Sequence, residues 1–372
     1  MNGFLRAVSF AVFVPAVAAA QEPPPIEHSQ EQYSFDFKID ALARYEWTRD
    51  IFVAADDFEN DKRWRLRALP RIEAGFGPVL VGVGGDFNYS SDENNEPPPA
   101  LQRDNYDSRD ARVDLAFASL KLGPLQLQGG RFQMPVPLTE MLWDRDLRPQ
   151  GGAGAVEVRD LGTALGSVGA TAVYSKGGHV FDDGDTRLLL LSGQMTFASP
   201  TGSELQLMGS FLKFTRFSDE PPLEPMIRRQ NVRTADGALA GPFEVFDIVG
   251  RLRIQGNAPF QLVADYCWNR ARDSENKGLW LAAVFGSIMT TPARLEYTYA
   301  KVDRDATMAA YATDDFFWAT GWEGHRADVG VRAGEHSSLH AVAQLQRFKD
   351  SPRTEEHEHW LKRIRIEWRI SK

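Results

Sequence analysis

Two runs of basic side chains keep to alternate positions: Arg63, Arg65, Arg67 and Arg71 in one, with Leu69 between the last two, and Arg363, Arg365 and Arg369 near the end of the chain, with Glu367 between the last two. A spacing of two places each run on one face of an extended strand. Lys38 and Arg44 follow the same spacing on a third segment. Together these side chains form a fixed cationic surface, the kind of surface that guides anions through a narrow passage. Asp36, Asp40, Glu46 and Glu367 lie on the same faces, so a self-compensating polar lining is the equally weighted alternative. A second charged group is packed into one loop: Glu140, Asp144 and Asp146 beside Arg145 and Arg148, with Pro135 and Trp143 in the same stretch. Acid facing base across a constriction sets up a transverse field that orders dipolar solutes. The same charges can instead tie the loop to itself.

Catalytic and metal-binding patterns are weak. His357-Glu358-His359 offers two imidazoles at i and i+2 with no third ligand in register, which reads as a solvated polar run. The acidic stretches Asp56 to Asp61 and Ser91 to Asn94 lack the glycine and terminal glutamate of a dedicated calcium loop, and both read as surface loops. Asp314-Asp315 followed by Phe316-Phe317-Trp318 is an aromatic cluster that packs within its loop or barrel mouth, or stacks on a sugar. The sequence contains no Gly-x-Ser-x-Gly and no glycine-rich phosphate loop with lysine. Its single cysteine, Cys267, allows no disulfide framework and no thiolate cluster. Neither an enzyme nor a cofactor is expected.

Across 372 residues the formal net charge is -9, which argues against a nucleic-acid partner held through phosphates. Residues 1–20 read as a secretory signal peptide: Arg6 forms the positive region, Val8 to Val17 the apolar run, and Ala18-Ala19-Ala20 the small-residue cleavage site. Residues 21–32, with three consecutive prolines, read as a short extended tail. Beyond residue 20 the sequence has no apolar run long enough for a membrane-spanning helix.

The elements that must carry the charged faces are strands. From Phe35 to Trp47 the odd positions are apolar, while the even ones carry most of the charge, and Trp360 to Ile370 repeats the pattern. Similar segments run over Trp64 to Ile72, Phe246 to Ile254, Leu262 to Trp268, Leu295 to Tyr299, Ala327 to Ala333 and Leu339 to Leu345. Short turns alternate with long polar loops. That rhythm predicts an all-β fold: a transmembrane antiparallel barrel of about sixteen strands over residues 33–372, with short periplasmic turns and long extracellular loops. A soluble sandwich would also alternate. Tyr45, Trp47, Trp64, Tyr266, Trp268, Trp360 and Trp368 sit toward strand ends, as interfacial girdles do, and favour the barrel.

Gly130-Arg131-Phe132-Gln133-Met134-Pro135, followed by Leu142-Trp143-Asp144-Arg145-Asp146-Leu147-Arg148-Pro149-Gln150-Gly151, resembles a bacterial outer-membrane porin family related in layout to the phosphate-selective porins. The likeness covers nearly the whole chain, with the third-loop motif as its specific part. It implies that the third loop folds inward and narrows the pore. The chain departs from the family in ending on Ile370-Ser371-Lys372, where outer-membrane barrels commonly end in phenylalanine. The expected function is therefore passive diffusion of small hydrophilic solutes across the outer membrane of a Gram-negative bacterium, with mild anion preference. The expected partners are outer-membrane lipid, the solutes and, for a homotrimer, two further copies of the chain. The alternatives are a non-conducting barrel acting as adhesin or receptor, and an outer-membrane barrel hydrolase.

Overall fold

The fold is set by strands that present one apolar face and one charged face. The computed structural model describes residues 33–54, 57–91, 109–162, 164–176, 186–216, 231–232, 234, 239, 241–313, 315–316, 319–349 and 359–372, without the side chains of 51–59. Residues 1–20, read from the sequence as a signal peptide, residues 21–32, read as a tail, Asp92 to Asn94, and His357 and Glu358 lie outside them. Sixteen strands follow in chain order: β1 Tyr33–Ala54, β2 Asp57–Phe76, β3 Val79–Ser90, β4 Arg109–Leu122, β5 Leu125–Arg131, β6 Gln150–Arg159, β7 Leu165–Lys176 and β8 Arg187–Ala198. The second half comprises β9 Glu204–Thr215, β10 Phe243–Ile254, β11 Phe260–Asn269, β12 Lys277–Gly286, β13 Ala293–Val302, β14 Trp322–Arg332, β15 Ser337–Phe348 and β16 Leu361–Ser371.

Each strand pairs antiparallel with its neighbours in sequence, and β1 pairs with β16 to close the barrel. Closure gives every strand two partners and leaves no open edge, the condition hydrocarbon imposes on a spanning sheet. At the seam, Tyr45 faces Ile366 and Trp47 faces Ile364 on the outside, while Arg44 faces Glu367 and Glu46 faces Arg365 on the inside. Exposure follows this register: Ile366 is 51% exposed and Arg365 is 2% exposed. A one-residue slip would reverse every one of these positions. Ile370 keeps its place in the seam opposite Ala41.

The connections from β2–β3 through every second hairpin to β14–β15 are short and fall where glycine or proline marks them. Gly77 adopts φ 58°, a left-handed conformation that a side chain would strain, and Pro78 follows it with its own φ fixed. Two boundaries differ from the sequence reading. β2 begins at Asp57, so Asp57 to Asp61 form strand rather than loop, because the β1–β2 hairpin, with strands of 22 and 20 residues, runs well past its neighbours. β12 is a strand whose alternation the sequence hides, since its inward positions Trp280, Ala282 and Val284 are apolar like its outward ones.

The interior explains that exception. The segments 132–149 (L3, between β5 and β6) and 303–321 (L7, between β13 and β14) carry a buried apolar cluster inside the barrel. Phe132, Leu138, Met141 and Trp143 of L3 join Met308, Tyr311 and Phe316 of L7, packed on Leu188, Phe214, Val245 and Trp280 of the wall.

Candidate functional site

The side chains with the strongest electrostatic consequence stand on β16, β1 and β2, which closure makes adjacent. All the basic residues singled out on these strands share this wall, and each meets an acid or amide. Arg63 Nε lies 3.0 Å from Glu46, which also sits 3.5 Å from Arg363. Glu367 gathers three: Arg44 at 2.9 Å, Arg365 at 3.1 Å and Arg369 at 2.6 Å. Arg67 binds Asp86 at 2.7 Å, and Arg65 donates to Asn88 at 3.1 Å. Lys38 and Arg71 converge on Glu73, at 2.7 and 3.3 Å. Glu46, Glu367 and Asp86 are at most 1% exposed, so their pairs are buried ones whose disruption leaves an uncompensated charge.

L3 is anchored in several directions. Phe132 N–H donates to Pro149 O at 3.1 Å, closing the base of the loop. Asp146 sits on the basic wall, 2.5 Å from Arg67 and 3.9 Å from Arg65. For Asp146 this differs from the expectation that the loop's acids face that wall from across the lumen. The reason is electrostatic: Arg67 and Arg65 together outweigh the cost of burying that carboxylate. Arg148 instead reaches Asp114 of β4 at 3.0 Å, while Glu140 pairs with Arg326 of β14 at 2.8 Å and with Arg145 of its own loop. Thr139 hydroxyl donates to Asp265 of β11, and Arg251 of β10 donates to Pro137 O. Asp144 Oδ1 accepts the Asp146 N–H at 2.8 Å. Pro135, at the start of the loop, is partly exposed.

Close approach is built into the wall that L3 meets. A Cβ on Gly278 of β12 would lie 2.6 Å from Met141 Sδ and 2.7 Å from Cys267 Sγ, so any side chain there must displace one of these sulfurs.

L7 completes the arrangement, and sequence reasoning missed most of its role. Asp315 was noted only beside an aromatic cluster, of which Phe317 and Trp318 lie outside the described residues. Its carboxylate lies 3.0 Å from Arg365, 3.5 Å from Arg44 and 3.7 Å from Arg326. Its carbonyl accepts from Gln344 at 2.8 Å, Arg365 at 3.3 Å and Arg363 at 3.4 Å. Burial would raise its pKa, but Arg365, Arg44, Arg326 and Arg145 outweigh that and hold it well below the usual carboxylate range. Asp146 is likewise held low, with Arg67 and Arg65 overcoming its burial. The two loops also bond to each other: Asp144 N–H to Tyr311 O at 2.8 Å and Thr313 N–H to Glu140 O at 2.9 Å. Trp143 stacks on Tyr311 at 5.6 Å between ring centres.

One chain of hydrogen bonds has the order a hydrolase would use: Ser338 Oγ to His340 Nε2 at 3.0 Å, then His340 Nδ1 to Asp328 at 2.7 Å. Arg369 also holds Asp328, at 3.1 Å. The pocket beside Ser338 measures about 50 Å³, room for only about four waters, too little for an ester in reacting position. Among the described residues no group of three or more His, Cys, Asp or Glu side chains forms a metal cluster.

Neither the family models nor the curated proteins give a match to this sequence. Solved structures do match, at low identity. OmpF of Salmonella typhi, in complex with daunomycin, aligns with a TM-score of 0.54 at 13% identity, over 92% of this chain and 98% of that one. The anion-selective porin of Comamonas acidovorans aligns at 0.53 and 10% identity, over 91% and 100%. A triple mutant of the Rhodopseudomonas blastica porin aligns at 0.50 and 9% identity, over 91% and 100%. The fold is therefore that of sixteen-stranded porin barrels.

Proposed function

We propose that the protein is an outer-membrane channel for passive diffusion of small hydrophilic solutes in a Gram-negative bacterium, exported by a signal peptide at residues 1–20. The observation that carries this reading is the closed sixteen-strand barrel with an apolar outer face and a charged inner one. Such a barrel is wide enough for an aqueous passage, and what narrows it decides what passes. L3 is the constriction in this reading, and L7 narrows the same section through Asp315. Mild anion preference is part of the proposal. Arg65, Arg67, Arg365 and Arg369 supply the positive field, reduced by Glu367, Asp86 and the two loop carboxylates.

The joint packing of L3 and L7 around a buried apolar cluster favours a second reading, in which the resting barrel is shut and serves as a surface receptor. Reconstitution of the purified full chain into planar bilayers separates the two. Discrete conductance steps support the channel, and a correctly folded barrel that passes no current rejects it. Labelling with a fluorophosphonate tests the hydrolase alternative in the same preparation, where modification of Ser338 would revive it.

A further inference from the structure

Against β10 to β14, L3 leaves a cavity of about 130 Å³, counted as space open to the centre of a water molecule. Its walls are largely apolar: Val136, Leu138 and Trp143 from the loop, Val263, Trp280 and Val284 from the barrel. At ~10–15 Å³ per water on this measure, it holds about ten waters, or a solute of about ten non-hydrogen atoms.

The charged groups at its margin are unequal. Glu140 and Glu296 both pair with Arg326, at 2.8 and 3.3 Å, and Arg148 pairs with Asp114. Asp144 accepts a backbone N–H of its own loop. Arg251 differs from these. Its side chain is 6% exposed and donates only to Gln206 Oε1 at 3.3 Å and to Pro137 O, with no carboxylate within 4 Å among the described residues. Asp247 lies four residues before Arg251 on β10 and Asp265 of β11 faces Val249 between them; Thr139 donates to Asp265 from the loop side, and neither acid lines the cavity. These two acids compensate the buried charge of Arg251 only in part, and a ligand anion placed beside it recovers part of the remaining cost.

From these observations we propose that the cavity binds small monoanions with a flat apolar body, the aromatic carboxylates, with the carboxylate on Arg251 and the ring against Trp280 and Trp143. This deepens the channel reading by naming a solute class, but equilibrium binding does not depend on conduction. Calorimetric titration of the detergent-solubilised full chain uses benzoate as probe, with acetate, benzyl alcohol and benzylamine as controls. Benzoate should bind at least tenfold more tightly than any control. Arg251→Gln should lower its affinity about tenfold or more. Ala282→Phe, which fills the cavity and leaves Arg251 in place, should do the same, and it keeps the test decisive if the arginine variant fails to fold. Benzylamine binding as well as benzoate, or benzoate affinity unchanged in Ala282→Phe, would overturn the inference. Bilayer recordings separate the two claims: current without benzoate binding removes this site and leaves the channel, whereas binding without current removes the channel and leaves the site.

Discussion

Replacing Asp315 by asparagine isolates the charge that ties L7 to the basic wall. The variant keeps the side-chain shape and the backbone carbonyl that Gln344, Arg363 and Arg365 use, and removes one negative charge from among Arg365, Arg44 and Arg326. At an effective dielectric of about 20, a pair of unit charges about 4 Å apart contributes roughly 4 kcal/mol of gross attraction. Three such pairs come to roughly 12 kcal/mol, most of it offset by desolvating the charges. Removing one partner of a buried pair costs about 3–5 kcal/mol in general. Asp315 keeps 28% of its side chain exposed, so water relaxes part of the loss and about 2 kcal/mol of docking free energy is the working figure. That raises the undocked fraction of L7 about thirtyfold, since about 1.4 kcal/mol is a factor of ten. Single-channel recording should show larger conductance or more frequent fluctuation, with selectivity shifted toward anions. Hydrogen exchange at the Thr313 amide, bonded to Glu140, should accelerate in parallel. Conductance, selectivity and exchange all equal to the parent would refute the reasoning, and would mean that the apolar packing of Tyr311 and Phe316 alone seats the loop.

Acidification should imitate that variant. Because the carboxyl of Asp315 is held below its ordinary value of about 3.8, its docking contribution is complete at neutral pH and is lost only as pH falls through the depressed value, so gating should persist to well below pH ~4. Arg65→Gln with Arg365→Gln should move the reversal potential in a salt gradient toward cation preference; cation selectivity in the unmodified protein would instead assign control to Glu367, Asp146 and Asp315. Deleting Thr139 to Arg148 in a barrel that still folds should raise conductance, and an unchanged value would remove L3 as the constriction. Gly278→Val should push Met141 off β12 at a cost of about 1–3 kcal/mol, read as faster alkylation of Cys267, which is buried beneath both loops in the parent.

Where neighbouring residues carried the information, the sequence was readable. Alternation over Phe35 to Trp47 and Trp360 to Ile370, with turns such as Gly77-Pro78 and Gly123-Pro124, is local physics, and the strand count and inward face followed from it. The basic wall was also accessible, because closure of an even-stranded barrel forces β16 beside β1. The placement of Asp146 was not, since its partner Arg67 lies 79 residues away and alternation says nothing about where a loop lands. Asp315 escaped for the same reason, 50 residues from Arg365. β12 was obscured because the surface facing L3 is as apolar as the one facing outward, and two apolar faces leave no period to read.

The seam between β16 and β1 also dictates an order of assembly. Arg44 and Glu46 near the start of the chain find their partners in Glu367 and Arg363 near its end. Joining segments so far apart forms the largest loop the chain can close, so its entropy cost falls on the contacts made at that moment. Until the final strand arrives, Arg44 lacks Glu367, and Glu46 has Arg63 of β2 but not Arg363. An unclosed sheet is thereby kept polar along its open margins, which discourages premature entry into hydrocarbon and edge-to-edge pairing with other chains. Closure then adds the missing partners to both margins in one event, and a chain truncated before β16 should stall as a water-exposed intermediate rather than form a narrower barrel.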